Sequence, residues 1–485
     1  MTLLIRNGKI VTPYGSYDAD VRCEDGMIRS IDRSGTTAGI DEVIDATGML
    51  VYPGFIDPHV HSRDPGLTYK EDFRTTTRSA AAGGVTTVFD MPNVIPPLCD
   101  AETFQARAAT HGRVAFVDFG LWGLALGVEN IEEVPRLFEA GIVALKLFWG
   151  YALNRATKQL AYNFTDEQLD DLILPPDNGQ LLELFRAVAS TGGILAAHCE
   201  DRSILEASQR ALGREVRTYE DLLSTRPAVA ENTSIAIGGE LAAATGCRFH
   251  VLHLASGRGA EIIRRRRSEG VAISAESCPQ YLTLTDQSYA SVRGLLKFYP
   301  PVRTDQDRSK LMDAVNDGTI CSIGSDHAPH SEEEKRLAIA VQPAGYIGVE
   351  TLVRIMLNEV AEGQLAPERL AWVLSEGTAR LYGLYPRKGA LLPGSDADVT
   401  VVEPEAPWRI RNEDLHAKNA VSPWNGKRGR GRPHAVVLRG EVVMRDGELI
   451  GEARGRLVRP NRAGDRCRLM AAHERSHSQG AIGWP

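Results

Sequence analysis

The sequence predicts an α/β fold: a TIM (β/α)8 barrel with a small β-sandwich module formed by both termini. Three observations predict it. Short apolar runs rich in Val, Ile and Phe alternate with amphipathic helical stretches from about Val51 to Asp326. There are eight such runs, which is the strand number of this barrel, and they are spread over the roughly 250 residues or more that it requires. Both ends of the chain carry instead a shared style of alternating strands broken by Gly-containing turns.

Taken in chain order, residues 1–52 hold "LLIRNGKIVT", "DADVRCEDGMIRSIDRSG" and "EVIDATG", the first part of the β module. Residues 53–386 are assigned to the barrel, with strands at "VYPGFID", "VTTVFDM", "VAFVDFG", "IVALKLF", "ILAAHCE", "FHVLHLAS", "VAISAES" and "ICSIGSD". Stretches such as "IEEVPRLFEAG" and "TSIAIGGELAAATG" read as the helices between them. Near-continuous apolar strands separated by helices argue for a parallel sheet buried on both faces. A doubly wound open sheet is the structural alternative. Residues 387–460 return to the β style in "KGALLPGSDADVTVVEP" and "HAVVLRGEVVMRDGELI" and complete the module, and 461–485 form a polar tail expected to be loosely ordered.

Composition narrows the function classes. The chain has 485 residues, 43% hydrophobic and 24% charged, the balance of a globular protein. Its formal net charge is -8, so no global attraction to nucleic acid or anionic membrane is implied. "RRRR" at Arg264–Arg267 reads as a solvated helix face, and "GKRGRGRP" at Gly426–Pro433 as a flexible loop. No apolar run approaches the roughly 20 residues of a membrane span, and Met1–Val11 lacks the pattern of a signal peptide. The seven cysteines are unpaired in spacing, which points to reduced thiols and a cytoplasmic location.

The chemistry sits at the strand ends. In "GFIDPHVHSRDPG", His59 and His61 are two apart and share one face of an extended chain. Lys146 lies in the fourth run, His198 ends the fifth, His253 the sixth and Asp326 the eighth. In such a barrel these ends converge on the active-site face. Each residue alone has a bland reading: a core histidine, a snorkelling lysine, a capping aspartate. Together they are hard to satisfy unless they bind something, and a metal is the simplest partner. Asp57 is expected to support the metal histidines from behind, with fixing the strand end as the alternative.

With these motifs in view the sequence resembles the amidohydrolase superfamily, in its cyclic-amide branch of dihydroorotases, hydantoinases, dihydropyrimidinases and allantoinases. The motifs "GFIDPHVH", "AAAGGVTTVFDMPN", "KLF", "HCED", "HLAS", "PPVR" and "GSDHAPH" carry the resemblance across nearly the whole chain. It implies two divalent metal ions, usually zinc, held by His59, His61, His198, His253 and Asp326, with a CO2-derived carbamate on Lys146 bridging them. It also implies cyclic-amide hydrolysis by a metal-bridging hydroxide with Asp326 as base, and a homodimer or homotetramer. A lysine at the end of an apolar strand has its ammonium form disfavoured, which leaves an amine able to take up CO2.

The signals for substrate divide. Arg63, Asn93 and His330 match positions that hold the substrate carboxylate in dihydroorotases, and a dihydroorotase-like activity is the leading expectation. Tyr151, five residues after Lys146, matches a tyrosine that stabilises the oxyanion in hydantoinases and dihydropyrimidinases. "ESCPQYLTLT", "KFYPPVRT" with Tyr299 before "PP", and the long segment from Asn154 to Gln180 also lean to hydantoinases or allantoinases. Two rivals stand outside that choice. A non-catalytic dihydropyrimidinase-like scaffold would be expected to have lost metal ligands, and a mononuclear deaminase would not need Lys146.

Overall fold

The computed structural model describes residues 1–33, 39–161 and 166–461. All eight predicted runs are strands: β1 (Phe55–Val60), β2 (Val85–Asp90), β3 (Asp118–Leu121), β4 (Leu145–Trp149), β5 (Ile194–Cys199), β6 (Arg248–Val251), β7 (Ile273–Ser277) and β8 (Ile320–Ile323). β1, β2 and β3 pair in parallel, as do β4 to β8 in sequence order. Two joins close the ring. Val143 N donates to Leu121 O at 2.9 Å between β3 and β4, and His61 N donates to His327 O at 2.7 Å between the ends of β1 and β8. The fold is the expected TIM barrel carrying a terminal β module.

Local chemistry sets the helix starts. Asp72, Asp100 and Asp177 each accept a hydrogen bond from the third residue of the helix they precede, at Phe73–Gly83, Ala101–His111 and Asn178–Thr191. Such caps satisfy an otherwise orphaned amide and contribute about 1 kcal/mol each. Arg264–Arg267 fall in the helix Gly257–Ser268, where Arg264 pairs with Asp317 and Arg265 with Glu269, as a solvated face should.

Both chain ends build one nine-stranded sheet. Val399–Arg409 runs antiparallel to Leu50–Pro53, which is parallel to Thr2–Thr12. Its apolar side, with Leu3, Ile5, Val21, Val51, Val399 and Val437, forms a separate core. "GKRGRGRP" is not the flexible loop expected: Arg428–Leu438 is a strand pairing with Val399–Arg409, because the loss of regular pattern there reflects bulges rather than the absence of a ladder. Between module and barrel stands Gly54. A Cβ there would fall 2.3 Å from Thr86 Oγ1 and 2.7 Å from Asp398 Cβ, so only glycine lets the two units meet.

The segment after β4 folds into a small sheet of Ala152–Asn154, Leu160–Ala161 and Leu172–Ile173. The tail, from 462 on, lies outside the described residues. Among the described residues no helix is long and apolar enough to cross a membrane, and the six cysteines are free.

Candidate active site

The strand ends turn sharply inward. Arg63, His253 and Asp326 adopt left-handed backbone conformations, with φ of 62°, 38° and 50°. Each costs a non-glycine residue on the order of 1–3 kcal/mol, a strain that concentrates at functional sites. The result is one cavity lined by His59, His61, Arg63, Asn93, Lys146, Tyr151, His198, His253 and Asp326, along with Phe148, Leu160, Phe298 and Tyr299.

Neighbouring acceptors fix the imidazole tautomers. His59 Nδ1 lies 2.7 Å from Glu276 Oε1, and His61 Nδ1 lies 2.8 Å from Asn93 Oδ1. Both Nδ1 atoms therefore carry the proton, and both Nε2 lone pairs face Asp326 Oδ1 at 3.4 Å. On the opposite wall His198 Nε2 lies 2.8 Å from Glu200 Oε2, which leaves Nδ1 toward His253 Nε2 at 3.1 Å. Burial depresses all four histidines, His59 and His253 furthest, so they stay neutral as ligands must.

The donor set fits divalent metal. His59 Nε2 is buried with no hydrogen-bond partner, a cost that a metal would remove. His59, His61 and Asp326 bring three donor atoms within 4.8 Å of one another. Lys146 is 1% exposed, with Nζ 4.6 Å from the Phe148 ring centroid. Burial, opposed by Asp326 and Glu276, lowers its pKa to about 8, so the neutral amine is within reach near neutral pH. Burial pushes Asp326 upward, but its surroundings, the buried Lys146 among them, outweigh it and hold its pKa below the ordinary carboxylate value.

The expected substrate contacts separate. Arg63, Asn93 and Tyr151 line the cavity, whereas His330 stands behind Arg63 and is not among the lining residues. Lys70 Nζ donates to His330 Nδ1 at 3.1 Å, so Nε2 carries the proton and donates to Ala344 O at 2.9 Å. Arg63 Nε donates to Pro329 O at 3.2 Å. Tyr151 donates to Glu200 Oε2 at 3.1 Å.

Sequence reasoning missed the carboxylates behind the histidines. Glu276 reaches His59 from 217 residues away, and Glu200 holds both His198 and Tyr151. The available signal was an acid inside or just after an apolar run, in "VAISAES" and "HCED". Asp57 does not support the histidines as expected: its Oδ1 accepts from the main-chain His59 N and Ser325 N and fixes the strand end, and Glu276 takes the imidazole instead.

A barrel with these polar groups at the C-terminal ends of its strands is the scaffold of a metal-dependent hydrolase. Residues 50–443 match the Amidohydrolase family, and the chain belongs to it, in its cyclic amidohydrolase branch. It is 36% identical to an allantoinase of Rubrobacter xylanophilus, over 95% of this chain and 98% of that one. A dihydroorotase of Pelobacter propionicus is 32% identical over 92% of this chain and all of that one. The solved structure of L-hydantoinase from Arthrobacter aurescens superposes with a TM-score of 0.87 at 30% identity, covering 94% of this chain and 99% of that one. The protein is accordingly an enzyme of the hydrolase class.

Proposed function

We propose that this protein opens an anionic cyclic ureide of the dihydroorotate type at a centre of two divalent metal ions. The nitrogen-rich donor set favours zinc, and Lys146 acts as a CO2-derived carbamate. The observation that carries the reading is the charge of the cavity wall. The Arg63 guanidinium and the Asn93 amide line it, while Asp326, assigned here to the metals, is the one carboxylate among the lining residues. Because Asn93 Oδ1 is taken by His61, the group Asn93 offers a ligand is its NH2, a donor suited to a carboxylate.

Metal bound by these residues would acidify a water and polarise the scissile carbonyl. Asp326 accepts the proton of the attacking water and returns it to the ring nitrogen as the C–N bond breaks. Tyr151, turned from Glu200 to the carbonyl oxygen, donates to the charge that develops there. Arg63 and Asn93 hold the substrate's carboxylate and thereby orient the ring.

Tyr151 on the cavity wall favours a second reading, an uncharged hydantoin-type ring, in keeping with the relatives named allantoinase and L-hydantoinase. The deciding test is ring opening of dihydroorotate, hydantoin, dihydrouracil and allantoin by metal-replete protein. Turnover led by dihydroorotate supports the anionic reading; turnover confined to uncharged rings replaces it with the second.

A further inference from the structure

Arg226 follows the helix Tyr219–Thr225 and is buried against the cavity from behind. Its Nη1 donates to Tyr151 Oη at 3.0 Å and also contacts Glu200 Oε2. Its guanidinium sits over the Tyr299 ring, with Cζ 3.5 Å from the centroid, and 5.5 Å from that of Tyr151. Arg303 Nη1 donates to its carbonyl oxygen at 3.0 Å, so the residue is anchored through its main chain as well. Both tyrosines line the catalytic cavity; Arg226 does not.

The hydroxyl of Tyr151 has one proton, and it is given to Glu200. Glu200 Oε2 also receives His198 Nε2, the bond that presents His198 Nδ1 to the cavity. If Tyr151 turns its proton to a substrate oxygen, Glu200 loses a donor in a site where an uncompensated charge is expensive. Arg226 removes that difficulty, because it already contacts the same carboxylate oxygen.

We propose that Arg226 is a positioning residue for ring opening: it fixes the two tyrosines of the cavity wall and keeps Glu200 compensated while the Tyr151 hydroxyl serves the substrate. This rests on the cyclic-amidase reading above. Arg226 acts through Tyr151 and Tyr299 and touches no reacting atom. Its planar fork does two things at once, stacking on one ring and bonding at the other, which an ammonium group does only in part.

A double-mutant cycle with Tyr151→Phe tests this in metal-loaded protein. Arg226→Met should lower kcat roughly 10–100-fold with little change in KM, the usual cost of removing a supporting group. In the Tyr151→Phe background the same change should cost much less, leaving only the part exerted through Tyr299, and Arg226→Lys should recover part of the loss. Additive losses would overturn the proposal, as would loss of bound metal from Arg226→Met, since Arg226 would then act through His198. The crystal structure of the Arg226→Met protein is independent of activity. Displaced Tyr151 and Tyr299 rings beside an unmoved His198 support the proposal, and rings left in place overturn it. A wild type that opens no cyclic amide sinks the functional reading alone, and that crystal structure still decides the role of Arg226.

Discussion

His61 Nδ1 and Asn93 Oδ1 lie 2.8 Å apart, which gives one asparagine two jobs. Its carbonyl sets the tautomer of a metal-facing histidine, and its NH2 remains for a ligand. Substitutions can separate the two. Asn93→Ala removes both, and metal affinity should fall roughly 10–100-fold, seen as faster loss of metal to a chelator. Asn93→Asp keeps an acceptor for His61 but replaces the donor with a carboxylate. It should hold metal nearly as well and yet lose turnover of anionic rings. Wild-type metal retention by Asn93→Ala would rule out the first job.

Arg63 supplies the matching test of substrate charge. Its side chain is 8% exposed at the cavity wall, so a carboxylate paired with it would be largely desolvated. Truncating one partner of such a pair costs on the order of 2–5 kcal/mol. Arg63→Ala should therefore lower kcat/KM for dihydroorotate by roughly 30-fold or more while leaving hydantoin turnover within a few-fold. Equal losses on both rings would show that Arg63 organises the site rather than reading charge.

What the sequence made legible follows from what is local. Eight apolar runs and the residues at their ends are neighbours along the chain, so strands, ring order and the inward-facing His59, His61, His198 and His253 could be read directly. Partnerships across the barrel could not. Glu276 is tied to His59 across 217 residues, and Arg226 is tied to Tyr151 across 75. The same distance explains His330, whose motif match was clear but whose ring is claimed by Lys70, 260 residues earlier. It also explains "GKRGRGRP", where polar, glycine-broken sequence forms a strand because Val399–Arg409 supplies the ladder.

The junction of barrel and β module hangs on Lys388. Its Nζ is buried and bonded to Asp118 Oδ2 of β3 at 2.5 Å, Asp398 Oδ2 at 2.6 Å and Asp396 Oδ2 at 2.9 Å. The three aspartates resemble a metal site, but the ammonium occupies its centre. Lys388→Met would leave buried carboxylates with Arg439, paired to Asp118, as their remaining cation. Breaking one partner from such a cluster costs about 3–5 kcal/mol. The thermal midpoint of Lys388→Met should drop sharply, with no change in metal stoichiometry of the folded fraction. A midpoint equal to wild type would mean that the aspartates are neutral in the native protein.

Lys335 gives stability a predictable pH dependence. It is 8% exposed, and its Nζ donates to Pro343 O at 3.0 Å and Gly345 O at 2.9 Å, holding a segment that walls the cavity. Burial first, then repulsion from Lys297, outweighs Glu334 and lowers its pKa from 10.5 to about 7. Between those values the folded chain has released a proton that the unfolded chain keeps, so stability rises with pH by up to about 1.4 kcal/mol per unit from this group. Below pH 7 both states are charged and the contribution is flat. The neutral amine still has two N–H bonds for its two carbonyls, so the segment stays anchored as the proton leaves. Denaturant midpoints of wild type and Lys335→Met at pH 6, 7.5 and 9 isolate the effect. Wild type should gain on the variant from pH 7.5 to 9 and hold a constant offset below 7. Parallel curves across the whole range would show that Lys335 does not titrate there.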